Sequence, residues 1–171
     1  MKGSVPSLLQ LLQEDPQILN KTTPFLSDTP LQVASLLGHS AFAKEILARK
    51  PELAAEHGAS PLHLAAAKGS VEIARDLVLV NPDMCLVRDR GGRTPLHLAA
   101  IKGRVGVLAE LARVSPQATQ VFAGGGESGL HLCAKQNRLK ALKVLVECVG
   151  GDDEFVNWRD SDGNSLTCCC C

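Results

Sequence analysis

Apolar positions along this chain come in paired bursts, a short one and then a longer one, separated by a Gly. The longer bursts, Val71, Ile73, Ala74, Leu77 and Val78 or Val105, Val107, Leu108, Leu111 and Ala112, keep helical spacing. The short bursts share one sequence. Thr29-Pro30-Leu31-Gln32-Val33-Ala34 returns as Ser60-Pro61-Leu62-His63-Leu64-Ala65, as Thr94-Pro95-Leu96-His97-Leu98-Ala99 and as Ser128-Gly129-Leu130-His131-Leu132-Cys133, at offsets of 31, 34 and 34 residues. A fixed period of that size predicts stacked repeats.

Each landmark of the repeat has a physical role. Ser or Thr caps a helix whose first position is Pro, where the missing N–H costs nothing. Nine residues on stands Gly38, Gly69, Gly103 or Asn137, a type that accepts the left-handed conformation at a helix stop. The longer burst follows at once as a second helix, and Pro51, Pro82 or Pro116 ends it. The spacing therefore predicts antiparallel helices of about eight and eleven residues. Between modules lies a connector with Gly58, Gly92 or Gly126 two residues before the next cap, which predicts a turn or hairpin.

These blocks resemble ankyrin repeats, whose signature is Thr-Pro-Leu-His-x-Ala at a period near 33 residues. Two blocks match in full, while Gln32 replaces His in the first and Ser128-Gly129 replaces Thr-Pro in the fourth. The resemblance implies an all-α solenoid of helix-turn-helix pairs with hairpin-like connectors, each repeat His bonding to backbone and fixing its connector. Long connectors led by Pro, such as 82–93, are similar to those of plant ankyrin proteins, the bian da immune-signalling type among them, which carry a membrane domain after the repeats. That narrower likeness implies a role in plant defence signalling.

The expected organisation is a half repeat at 4–28, repeats at 29–59, 60–93, 94–127 and 128–164, and an aborted fifth at 165–171. Lys2-Gly3-Ser4-Val5 echoes Lys68-Gly69-Ser70-Val71, so the chain opens between two helices; Thr167 stands where a Leu belongs, and Cys168 to Cys171 replace the last helix. Both ends read as truncated. Repeats bury apolar surface only against neighbours, so the middle pairs, 60–81 and 94–115, are expected to be firmest.

Composition narrows the function. Hydrophobic residues are 45% and aromatics 3%, with no Tyr, which excludes disorder and base-stacking platforms. No signal peptide and no membrane-length apolar run is legible, so a cytoplasmic chain is expected, with the inner face of the plasma membrane as the membrane it could contact peripherally. Eighteen basic residues balance eighteen acidic ones, yet 88–143 holds ten Lys/Arg against three Asp/Glu. Specific nucleic-acid binding is not expected from that excess, because base-reading and stacking motifs are missing; an acidic protein or an anionic lipid headgroup suits it as well.

No constellation reads as catalytic or as a cofactor site. His63, His97 and His131 occupy one slot of successive repeats, too far apart for two nitrogens on one zinc. Gly124-Gly125-Gly126 lacks the Lys and Ser/Thr of a phosphate loop, and Asp152-Asp153-Glu154 are consecutive loop residues that do not converge. Cys168, Cys169, Cys170 and Cys171 lack the spacing of zinc pairs; their candidate chemistry is S-acylation, which would make the chain a lipid-tethered or redox-responsive protein, against the plainer reading of a non-native end.

Binding of another protein is the expected function, and connector tips are the expected contacts: Arg88, Arg90 and Arg93, then Phe122, then Trp158 and Arg159. Trp and Arg dominate interface energy most often, although packing under the frayed end of the stack would account for Trp158 nearly as well.

Overall fold

The computed structural model describes residues 29–55 and 60–150, together with Pro6, Gln10, Glu14, Trp158, Arg159 and Gly163. Pro6, Gln10 and Glu14 are helical and exposed, in the expected opening half repeat. Asp152 to Glu154, Gly58 and Cys168 to Cys171, for which the sequence raised expectations, lie outside the described residues.

Four helix pairs follow: α1 Pro30–Leu37 with α2 Ser40–Arg49, α3 Pro61–Lys68 with α4 Val71–Val80, α5 Pro95–Lys102 with α6 Val105–Val114, and α7 Gly129–Lys135 with α8 Leu139–Val149. Each first helix starts one residue after its Ser or Thr. Each stops where the backbone turns left-handed, at Gly38, Gly69 and Gly103 and at Asn137, whose φ is 52°. The proline after α2, α4 and α6 does more than end a helix. It opens a further short 3-10 turn, at Pro51–Ala55, Pro82–Cys85 and Pro116–Gln120, which sequence periodicity did not predict because one turn carries too few residues to show a period. Among the described residues no strand forms.

First helices stack on first helices and second helices on second helices, giving two layers. The core is a set of columns, one residue per repeat. Leu31, Leu62, Leu96 and Leu130 form one, and Ile46, Leu77, Leu111 and Leu145 another, each at most 1% exposed. Ala34, Ala65, Ala99 and Cys133 stand where the first helices approach, so a small side chain is required. Burial pushes the Cys133 thiol up to about 12 and, with Asp83 nearby, the Cys85 thiol up to about 11. Both remain protonated packing groups at neutral pH.

One slot breaks its column. Ala66 and Ala100 are fully buried, whereas the first repeat carries Ser35, equally buried, with a hydroxyl that has no hydrogen-bond partner among the described residues. An unsatisfied buried hydroxyl costs about 1 kcal/mol or more. Ser35→Ala is therefore expected to stabilise the stack by about 1 kcal/mol, read from the chemical-denaturation midpoint. A loss of stability would show that the hydroxyl finds a partner in solution.

Candidate functional site

The connectors fold into short fingers at the N-terminal ends of the first helices. In the finger at 89–93 the Asp89 N–H donates to the Arg93 carbonyl at 2.8 Å and the Gly92 N–H returns to the Asp89 carbonyl at 2.9 Å. The Asp89 carboxylate accepts from the Gly91 and Arg93 N–H groups at 2.8 and 2.9 Å, which freezes the tip. The finger at 123–127 repeats the backbone pair, Ala123 N–H to Glu127 carbonyl at 2.8 Å, without a carboxylate. These are hairpin-like turns, as the connector glycines implied.

Histidines hold each finger to its repeat. The Nε2 of His63 lies 3.0 Å from the Arg93 carbonyl, that of His97 3.0 Å from the Val121 carbonyl, and that of His131 3.0 Å from the Trp158 carbonyl. A carbonyl only accepts, so each Nε2 carries the proton and each Nδ1 is the acceptor. Nδ1 in turn meets the hydroxyl of Ser60, Thr94 or Ser128 at 2.7–2.8 Å, and the Thr94 N–H donates to that of His97 at 3.0 Å. Both ring nitrogens are thus committed, which leaves none for a metal. Among the described residues no group of three or more His, Cys, Asp or Glu could hold an ion. Burial lowers the pKa of His63, and that of His97 down to about 4.

The six candidate contacts divide by what their side chains do. Arg88 donates through Nη1 to the Gly92 carbonyl at 2.9 Å and to the Phe122 carbonyl at 2.7 Å, so its guanidinium ties neighbouring fingers together instead of standing free. Arg90 and Arg93 are exposed, and neither side chain has an ion-pair partner among the described residues. Phe122 and Trp158 pack ring to ring, with centroids 5.2 Å apart at 35°. Trp158 remains 48% exposed while its carbonyl receives His131, so it is anchored by its backbone and open at its indole. Arg159 beside it is exposed. Two free guanidiniums and a half-exposed aromatic pair therefore line the row of fingers.

A second feature was only half legible. Arg104 and Arg138 sit at the turn between the helices of their repeats and reach back one repeat. Arg104 Nε donates to the Ala67 carbonyl and Arg138 Nε to the Ile101 carbonyl, each at 3.2 Å, closing the C-terminal end of the preceding first helix. Periodicity within one repeat cannot reveal a bond that crosses between repeats.

A family model described as ankyrin repeats (3 copies) matches residues 1–88 and 57–121. No curated protein matches the chain at a significant level. Among the described residues no helix is long and apolar enough to cross a membrane.

Proposed function

Because this chain belongs to the ankyrin-repeat family, whose repeats generally mediate protein–protein interactions, we propose that it is a non-catalytic adaptor holding another protein against its row of fingers. The observation that carries this reading is the cationic and aromatic character of that row: exposed Arg90 and Arg93 on one finger, Phe122 on the next packed against half-exposed Trp158, and exposed Arg159 beyond. Frozen tips lower the ordering cost of binding, and aromatic and Arg side chains supply the largest interface energies. The adaptor works in intracellular signalling, with plant immune signalling as what the narrower resemblance implies. Tethering through S-acylated Cys168 to Cys171 is the other reading.

Proximity capture in cells tests the proposal. R90Q/R93Q and Trp158→Ala should each lose partners that the unaltered chain retains, at about tenfold or more for a central anchor, while the thermal midpoint holds. If Trp158→Ala lowers the midpoint and the partner set is unchanged, Trp158 is a packing residue and the finger row is not the binding surface.

A further inference from the structure

The charge excess of 88–143 resolves into two populations. All three carboxylates of that stretch are engaged: Asp89 in its finger, Glu110 between Arg75 at 2.9 Å and Arg113 at 3.0 Å, and Glu127 with Lys135 at 2.8 Å. On the second helices Lys44 also pairs with Asp76 and Arg49 with Glu45. Apart from Arg88, Arg90 and Arg93 at their finger and Lys143 on the last helix, the cations left over in 88–143 lie along the edge made by the helix-to-helix turns of successive repeats.

That edge runs through 36–41, 67–72, 101–106 and 136–140. Lys68, Lys102, Arg104, Arg138 and Lys140 stand on it, all exposed, against the single carboxylate of Glu72. Lys68, Lys102 and Lys140 have no ion-pair partner among the described residues. Large apolar side chains are exposed at both ends of the same edge, Leu36 and Leu37 at the first repeat and Leu139 at the fourth, the last 66% exposed. Between the third and fourth repeats it opens into a cleft of about 340 Å³, bounded by Gly103, Asn137, Arg138, Leu139 and Lys140. Fingers lie at the other end of the first helices, about 12 Å away for eight residues at the helical rise.

We propose that this turn edge is a docking surface for an anionic lipid bilayer, with the lysines and arginines at headgroup level and Leu37 and Leu139 entering the interface. Cations alone would fit an acidic peptide equally. Exposed leucines at both ends of the row and a cleft of headgroup size favour a bilayer, which takes up charge and apolar groups along one plane. Docked this way, the chain points its fingers away from the membrane and leaves them free for a protein partner.

Sedimentation of the full chain with vesicles of phosphatidylcholine and roughly 30 mol% phosphatidylserine, in about 100 mM salt, tests this. Binding is expected to these vesicles and not to phosphatidylcholine alone. Each Lys near an anionic surface is worth about fivefold in affinity, so K68Q/K102Q/K140Q should lose about a hundredfold; Leu139→Ser should weaken binding further, and R90Q/R93Q should leave it intact. Failure to bind the anionic vesicles, equal binding to neutral ones, or an unaffected triple variant would overturn the proposal. So would capture of a polyglutamate peptide, abolished in the triple variant, by a chain that ignores vesicles. Protein capture by K68Q/K102Q/K140Q should match the unaltered chain, so the edge and the finger row stand or fall separately.

Discussion

Replacing His97 with Ala is expected to cost about 3 kcal/mol, more than any exposed substitution, because the imidazole satisfies several buried groups at once. Its Nε2–H serves the Val121 carbonyl, and its Nδ1 serves both the N–H and the hydroxyl of Thr94. Truncation leaves all of them unpaired inside a fully buried site and opens a void. The first repeat shows which substitution is gentler. There Gln32 holds the slot, its Oε1 accepting the Thr29 N–H at 2.7 Å, so His97→Gln can keep the cap. Denaturant midpoints should rank unaltered chain above His97→Gln above His97→Ala; a loss below about 1 kcal/mol for the Ala variant would remove the histidine from the account of how fingers are held.

The same residue sets a pH dependence. Burial brings the His97 pKa from 6.5 down to about 4, outweighing the opposing bond to Val121, with the Arg88 and Arg93 charges adding to the fall. Above pH 6.5 the histidine is neutral folded or unfolded, and its stabilisation is complete. As pH falls from 6.5 towards about 4 the unfolded chain takes up a proton that the folded chain refuses, so stability drops by up to about 3 kcal/mol. Lower still, the folded form protonates too and this contribution is exhausted. His63 acts in the same direction. Glu110, whose carboxyl Arg113 and Arg75 hold below its usual 4.5, contributes in a separate and more acid window. His97→Gln should flatten the stability profile between pH 6.5 and 4; an unchanged slope would defeat this assignment.

Much of this was open to reading from sequence because the repeat writes the same physics several times. Ser or Thr before Pro, then Gly nine residues on, placed the starts of α1, α3 and α5 and the left-handed stops, and Asn137 kept the register where Gly was lost. Arg90 and Arg93 were legible as exposed connector cations for the same reason. What stayed hidden is whatever joins one repeat to the next. Arg88 looked like a free tip residue, since nothing local announces a bond to a carbonyl 34 positions away. The basic turn edge escaped notice because its members fall at different places in their repeats, Lys68 and Lys102 before the Gly and Arg104 and Lys140 after it. Only stacking brings them into one row.

The finger row offers the other large expected effect, at Gly92. Its φ is +70°, and a Cβ added there would lie 3.2 Å from both the Cα and the N of Gly124 on the next finger. Two costs therefore combine. The left-handed backbone alone penalises a side chain by about 1 kcal/mol. The neighbour cannot yield cheaply, since it is main chain, set in a finger closed by the Ala123-to-Glu127 bond and tied to the first finger by Arg88. Gly150 isolates the first cost, because its φ is +75° and nothing among the described residues lies within 4 Å of the added carbon. Gly150→Ala should lose about 1 kcal/mol and Gly92→Ala about 2–3 kcal/mol, with the excess reporting the finger contact. Spreading the fingers should also break the Arg88 bonds and move Arg90 and Arg93 relative to Phe122, so Gly92→Ala should lose partner capture under conditions where it remains folded. Equal losses at the two glycines would mean that the fingers do not constrain one another, and a row with loose spacing could not present those side chains as one surface.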